Sequence, residues 1–275
     1  MKLKTLCSLV AAAGMSVAAA SANAAIVVDN WTVDSSGAAL NSSTIGIGHL
    51  NLSGGGATVT QEVNALGNPF TGARFVEFGV IFSISYTQEN SVGAGDFGLP
   101  QLFDNGLQLR LVFTGLEGHL TSVAPSGEIE YVFHSGVGNI KLEGQIGASG
   151  WLGLADITPT APSGGDLNDF FGAAQTAGNS SITGTFDLTT LATLITGRDP
   201  QDLLVDIETN NTISAAVSPV FDCSATFGAG TDCRTLFVNS DGSLDLLVQE
   251  VPEPASLGLL GISLVGLAAA RRRRV

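Results

Sequence analysis

Basic residues are scarce in this chain. It has eight arginines and three lysines, and six of these eleven lie at the ends: Lys2, Lys4 and Arg271 to Arg274. Residues 25–250 hold five basic residues against 24 acidic ones, a formal charge of −19. Such a surface repels phosphate backbones and anionic lipid, which excludes nucleic acid as a partner and leaves divalent cations or cationic partners. Cysteine is also rare. Cys7 falls in the N-terminal apolar run, so only Cys223 and Cys233 remain, in FDCSATFGAGTDCR. In an exported chain two such cysteines pair, and a loop this short stabilises by somewhat under about 3 kcal/mol. Four-ligand zinc is not expected, because His49, His119 and His134 are scattered along the sequence. Tryptophan and tyrosine total four: Trp31, Trp151, Tyr86 and Tyr131. Catalytic motifs are missing too, with no G-x-S-x-G, no H-E-x-x-H and no P-loop. The carboxylate pair of a glycosidase meets only in three dimensions, so no pair is assigned and the expectation is a protein that is not an enzyme.

The ends carry the clearest signals. MKLKTLCSLVAAAGMSVAAASANA has a charged start, an apolar run from Leu6 to about Ala20, and the small-residue site Ala22-Asn23-Ala24. That order is a secretory signal peptide over residues 1–24, cut by signal peptidase after Ala24. At the other end, VPEPASLGLLGISLVGLAAARRRRV has sixteen uncharged residues from Ala255 to Ala270. As a helix they span roughly 24 Å, a minimal crossing of a bilayer core about 30 Å thick. The arginines behind them hold the C-terminus in the cytoplasm.

Pro252-Glu253-Pro254, a short apolar helix and the cluster Arg271, Arg272, Arg273 and Arg274 resemble the PEP-CTERM sorting signal of exopolysaccharide-producing Gram-negative bacteria. The resemblance implies an exosortase as partner, cutting near Pro252, Glu253 and Pro254 after transient anchoring in the inner membrane by residues 251–275. A permanent single-span anchor is the alternative. The middle and the run SDGSLDLLVQEVPEP resemble more loosely the flocculation-associated PEP-CTERM proteins. This implies a surface or matrix protein of exopolysaccharide-associated biofilm or floc, in contact with extracellular polysaccharide. A lectin-like carbohydrate-binding module and a secreted hydrolase are the alternatives.

The body, residues 25–250, alternates with period two. Val76, Phe78, Val80, Phe82, Ile84 and Tyr86 are expected on a buried face, with Glu77, Gly79 and Ile81 opposite. Leu107, Leu109, Leu111 and Phe113 repeat the pattern, as do Ile129, Tyr131 and Phe133, then Ile140 and Leu142. Further strands are expected at 182–188, 203–209, 235–239 and 244–248, the last two joined by a turn at Ser240-Asp241-Gly242. Helical spacing marks Leu167, Phe170, Phe171 and Ala174 behind Asp166 as N-cap. It also marks Leu188, Leu191, Ala192 and Ile195 behind Asp187, a segment that reads equally as a threonine-rich strand. Residues 35–68 read as loops with one or two edge strands, and 158–165 as a linker-like loop. The expected fold is all-β, an antiparallel jelly-roll-like sandwich with one or two short helices. His134 is expected to face solvent from a strand, His119 to lie in a turn and His49 to border a loop. Cofactors are not expected. Calcium is the secondary reading, at Asn239, Asp241 and Asp245 or at Asp166 and Asp169, against a hairpin turn and a helix cap.

Overall fold

In the computed structural model the described residues are 25–27, 32–34, 47–88, 107–146, 148, 150–168, 175–188, 193–195, 203–214 and 219–249. The chain divides into two compact units, Val27–Leu247 and a second made of Met1–Ile26 with Val248–Val275. The signal peptide, the Pro-Glu-Pro motif, the expected membrane helix and the arginine cluster lie outside the described residues. Among the described residues no helix is long and apolar enough to cross a membrane.

The strands are β1 (Ala25–Val27), β2 (Thr32–Asp34), β3 (Ile47–Val63), β4 (Arg74–Gln88), β5 (Leu107–Val123), β6 (Ile129–Phe133) and β7 (Asn139–Ile146). They continue as β8 (Leu152–Asn168), β9 (Gln175–Leu188), β10 (Thr193–Ile195), β11 (Leu203–Ser214), β12 (Phe221–Asp222) and β13 (Asp232–Gln249). One short helix, α1 (Ser224–Phe227), precedes β13. From β3 each long strand pairs antiparallel with the next along the chain: β3, β4, β5, β6 with β7, β8, β9, β11 and β13. β6 and β7 both lie between β5 and β8, so they fill one strand position in two pieces. The last strand then returns to the first. β13 pairs with β3 from Asp232↔Val63 to Leu244↔Leu50. Eight strand positions thus close into an up-and-down barrel, so that among the described residues each of these eight positions is paired on both sides.

Closure corrects the sandwich expectation. Alternation shows that a sheet has one dry face, but not whether that face meets a second sheet or its own far side. Here the strands are long, as in the 17 residues of β3 and the 18 of β13, and long twisted strands coil until the ends meet. Over the described part of 35–68, where loops with one or two edge strands were expected, β3 is a long strand paired on both sides, with β4 and with β13. Its glycine content follows from close approach: a Cβ at Gly55 would sit 2.6 Å from Ile81 Cγ1 and 2.7 Å from the Ser240 carbonyl oxygen.

The inward face of β4 differs from expectation in its first half. Val76 is buried as expected, but Phe75, Glu77 and Ile81 point in, while Phe78 and Phe82 are about half exposed on the outer wall. Further along, Ile84 and Tyr86 are buried as expected. The switch falls opposite Gly54, whose φ of 66° is open to glycine and costly to other residues. Both strands change face together there, because one residue of slip exchanges the whole inward set. β13 runs through Ser240-Asp241-Gly242 as one strand with a bulge, so the expected turn is absent. Asp166 and Leu167 belong to β8, which also takes in the expected linker 158–165. Asp187 and Leu188 belong to β9. The described ends of both expected helices are therefore strand, and residues 169–174 lie outside the described set. Thr193–Ile195 forms β10, paired with β2, in line with the threonine-rich strand alternative.

Beyond the switch the barrel is filled by aliphatic side chains. Leu50, Leu109, Leu111, Ile140 and Ile157 are at most 1 % exposed. The Cys223–Cys233 disulfide forms as expected, with Cα atoms 5.7 Å apart, and ties the turn carrying α1 to the start of β13. Reduction should lower the unfolding free energy by about 2–3 kcal/mol through the entropy of the opened loop. Denaturant titrations with and without reductant measure it, and coincident curves would show that the link constrains nothing.

Candidate functional site

Toward the other end of the barrel the inward set turns polar. Glu77 on β4 and Tyr131 on β6 face Ser180 on β9, Thr209 and Asn211 on β11, and Ser240 on β13. The register explains the cluster, since Ser180 and Thr209 are direct cross-strand partners. Their hydroxyls lie 2.6 Å apart, Thr209 Oγ1 donates to Asn211 Oδ1 at 3.2 Å, and Asn211 Nδ2 donates to Ser180 Oγ at 3.1 Å. Ser180 must then donate to Thr209, which closes a three-membered ring of donors and acceptors. Ser240 Oγ adds a donor to Asn211 Oδ1 at 2.8 Å. Buried polar groups satisfied in this way rigidify a core instead of weakening it.

Glu77 stands apart from that ring. It lines two adjoining voids, of about 50 Å³ and 20 Å³, that also share Asn211. Burial pushes its carboxyl up to about 7, so it carries a proton through the mildly acidic range. The Tyr131 phenol is likewise pushed up, by burial first and by the Glu77 charge second. Its hydroxyl donates to the Asn179 carbonyl oxygen at 3.4 Å. Gly165 is required beside it, because a Cβ there would approach Tyr131 Oη to 2.6 Å. Voids of this size hold a few waters and no saccharide ring. Among the described residues Glu77 is the one carboxylate lining them. The chamber can store water and exchange one proton near neutrality.

On the outer wall the sheet dips into a groove of about 690 Å³, lined by Asn51, Asp166, Asn179, Glu208, Asn210 and Asp241 among others. Two calcium candidates from different segments, Asp166 and Asp241, thus share one groove. Asn239 lines a neighbouring hollow with Asp241, Asp245 lines neither, and Asp169 lies outside the described residues. Among the described residues no three His, Cys, Asp or Glu side chains converge as a metal group.

Two of the three histidines meet, which sequence separation concealed. β5 and β6 pair so that His119 faces Val132, and the His134 amide donates to the Glu117 carbonyl oxygen at 2.8 Å. His119 Nδ1 then lies 3.0 Å from His134 Nε2. His119 is in a strand, not a turn, His134 follows a strand directly, and His49 sits in β3. Both paired rings are half-buried.

Within its described residues the chain is a closed up-and-down β-barrel with a polar, proton-holding chamber. Outside them, residues 250–274 match the family model of the PEP-CTERM protein-sorting motif. The chain carries that sorting signal, the mark of an exported protein processed at the membrane by an exosortase. Comparison with curated proteins and with solved structures returns no match.

Proposed function

We propose that the two ends deliver the barrel and that the barrel is what remains at its destination. Residues 1–24 act as a signal peptide cut after Ala24. Residues 251–275 hold the exported barrel in the inner membrane until an exosortase cuts near Pro252-Glu253-Pro254. The barrel then resides at the cell surface or in the extracellular matrix of a Gram-negative bacterium, contributing to exopolysaccharide-associated biofilm or floc formation without catalysing a reaction. The sorting-motif match at residues 250–274 is the observation that carries this reading. A disulfide suits an oxidising compartment, and a charge of −19 over residues 25–250 keeps a secreted protein soluble.

The test is mass spectrometry of the protein recovered from the matrix of cells with an active exosortase. Peptides from Leu257 to Ala270 should be missing from that fraction, and replacing Pro252, Glu253 and Pro254 by alanine should leave an uncut, membrane-bound precursor. Recovery of those peptides in released protein would make the tail an ordinary anchor. The outer groove favours carbohydrate binding as the second reading, since amide and carboxylate side chains suit sugar hydroxyls. Among the described residues no aromatic side chain lines the groove, the Trp151 ring is covered by Arg110 at 4.2 Å, and Tyr86 and Tyr131 point inward. Binding on a glycan array would favour that reading.

A further inference from the structure

The geometry points to the outer face of β13, β3 and β4 as a binding face for an uncharged polysaccharide, a placement that rests on the carbohydrate reading above. Three phenylalanines share that face by register. Phe237 on β13 pairs with Thr58 on β3, and Thr58 pairs with Phe78 on β4. Direct partners lie on one face, so two strand spacings put Phe237 and Phe78 about 10 Å apart. Phe82 follows on the same face of β4, about 13 Å along the strand. All three are about half exposed. Between them β3 offers little side chain, because Gly56 pairs with Asn239 on one side and Val80 on the other. Close approach accounts for Gly55 and a positive φ for Gly54, but neither accounts for Gly56. A Cβ on Gly56 would meet nothing nearer than the Val238 carbonyl oxygen at 4.0 Å. Glycine weakens a strand interior, and one that packing does not require marks a floor that a ligand approaches closely. Beside this floor lies the hollow lined by Gly54, Thr212, Asn239 and Asp241. Its volume of about 330 Å³ is within the size range of ligand pockets.

Charge and hydrogen bonding select the occupant. Residues 53–60, 78–88 and 235–240 hold no charged side chain, although the body as a whole carries −19. That body repels an anionic polymer, and it repels a second copy of the chain as well. A peptide strand cannot pair with β3, whose backbone is already bonded to β4 and β13. Its own amides would lie on aromatic rings without partners, which is costly. A neutral sugar chain meets neither objection. Its C–H faces suit the negative faces of the phenyl rings, and its hydroxyls find donors and acceptors in Thr58, Asn239 and Asp241.

The experiment is a calorimetric titration of the full chain with cellohexaose, maltohexaose and mannohexaose, and with an alginate hexamer as the anionic control. At least one neutral hexasaccharide should bind, and the alginate should not. F82A and F237A should each weaken binding about two- to tenfold, the worth of one aromatic contact. F70A removes an exposed phenylalanine from the β3–β4 connection and should change nothing. G56V fills the floor with a residue that favours strands, so it should abolish binding while the melting temperature stays at or above that of the wild type. This variant keeps the test sharp if a phenylalanine variant does not fold. Binding that F82A, F237A and G56V all leave unchanged would overturn the placement while the carbohydrate reading stands. No binding of any neutral hexasaccharide would overturn both. A wild-type dimer in sedimentation that F82A dissociates would give the face to a second copy instead.

Discussion

At pH 8 the E77Q variant should be more stable than the wild type by up to about 3 kcal/mol, and at pH 4 the two should be nearly equal. In the unfolded chain Glu77 ionises near 4.5, whereas burial raises it to about 7 in the barrel. Between those values the folded state holds a proton that the unfolded state has released. Stability therefore falls as pH rises through that window, by about 1.4 kcal/mol per unit, and stays low above it. Below 4.5 both states are protonated and the term vanishes. Glutamine keeps the shape of the protonated acid and never ionises, so E77Q should lose this slope. The half-buried position of Glu77 makes the figure an upper value. Denaturant unfolding of the full chain at half-unit steps from pH 4 to pH 8 measures it. Parallel profiles for the two proteins would show that water in the chamber already solvates the carboxylate. The direction of this one contribution runs opposite to ordinary acid denaturation and to that of Glu62, whose carboxyl the Arg74 guanidinium holds below its usual range.

That chamber illustrates what the sequence does and does not disclose. β6, β7 and the first half of β5 were legible with their inward faces, because Leu107, Leu109 and Leu111 alternate with polar residues and only one phase is apolar, whereas the second half of β5, around His119, read as a turn. On β4 both phases are apolar, so periodicity alone assigns Glu77 to water, and the barrel places it inside. β3 was illegible for the opposite reason. Its glycines read as loop, yet they let the first strand lie against the last. Closure itself joins Leu50 to Leu244 and Val63 to Asp232, pairings so distant in sequence that no local pattern reports them. The cysteine pair was legible because exported chains leave two cysteines little choice. The histidine pair was not, because it depends on the β5–β6 register and not on spacing.

Gly242→Ala should be far more damaging than Gly153→Ala, although each adds one methyl group to a strand. At Gly242 the bulge of β13 presses against β11, and a Cβ would overlap the Glu208 carbonyl oxygen and lie 2.8 Å from Thr209 Cα. These are backbone atoms of a paired strand, so no rotamer change relieves the overlap and β13 must move outward. Overpacking of this kind costs roughly 1–3 kcal/mol where side chains can yield, and at least about 3 kcal/mol is expected where they cannot. At Gly153, in β8, no atom lies within 4 Å of the added carbon. Alanine there should be neutral or stabilising by up to about 1 kcal/mol, because it restricts the unfolded chain. The damage at Gly242 should also have a specific form. β13 closes the barrel, so displacing it from β11 exposes an unpaired strand edge that recruits other copies of the chain. G242A should therefore combine a lower unfolding midpoint with concentration-dependent aggregation and faster hydrogen exchange along β11 and β13, while G153A shows none of these. Equal stability of the two variants would mean that the barrel does not depend on close contact between β11 and β13.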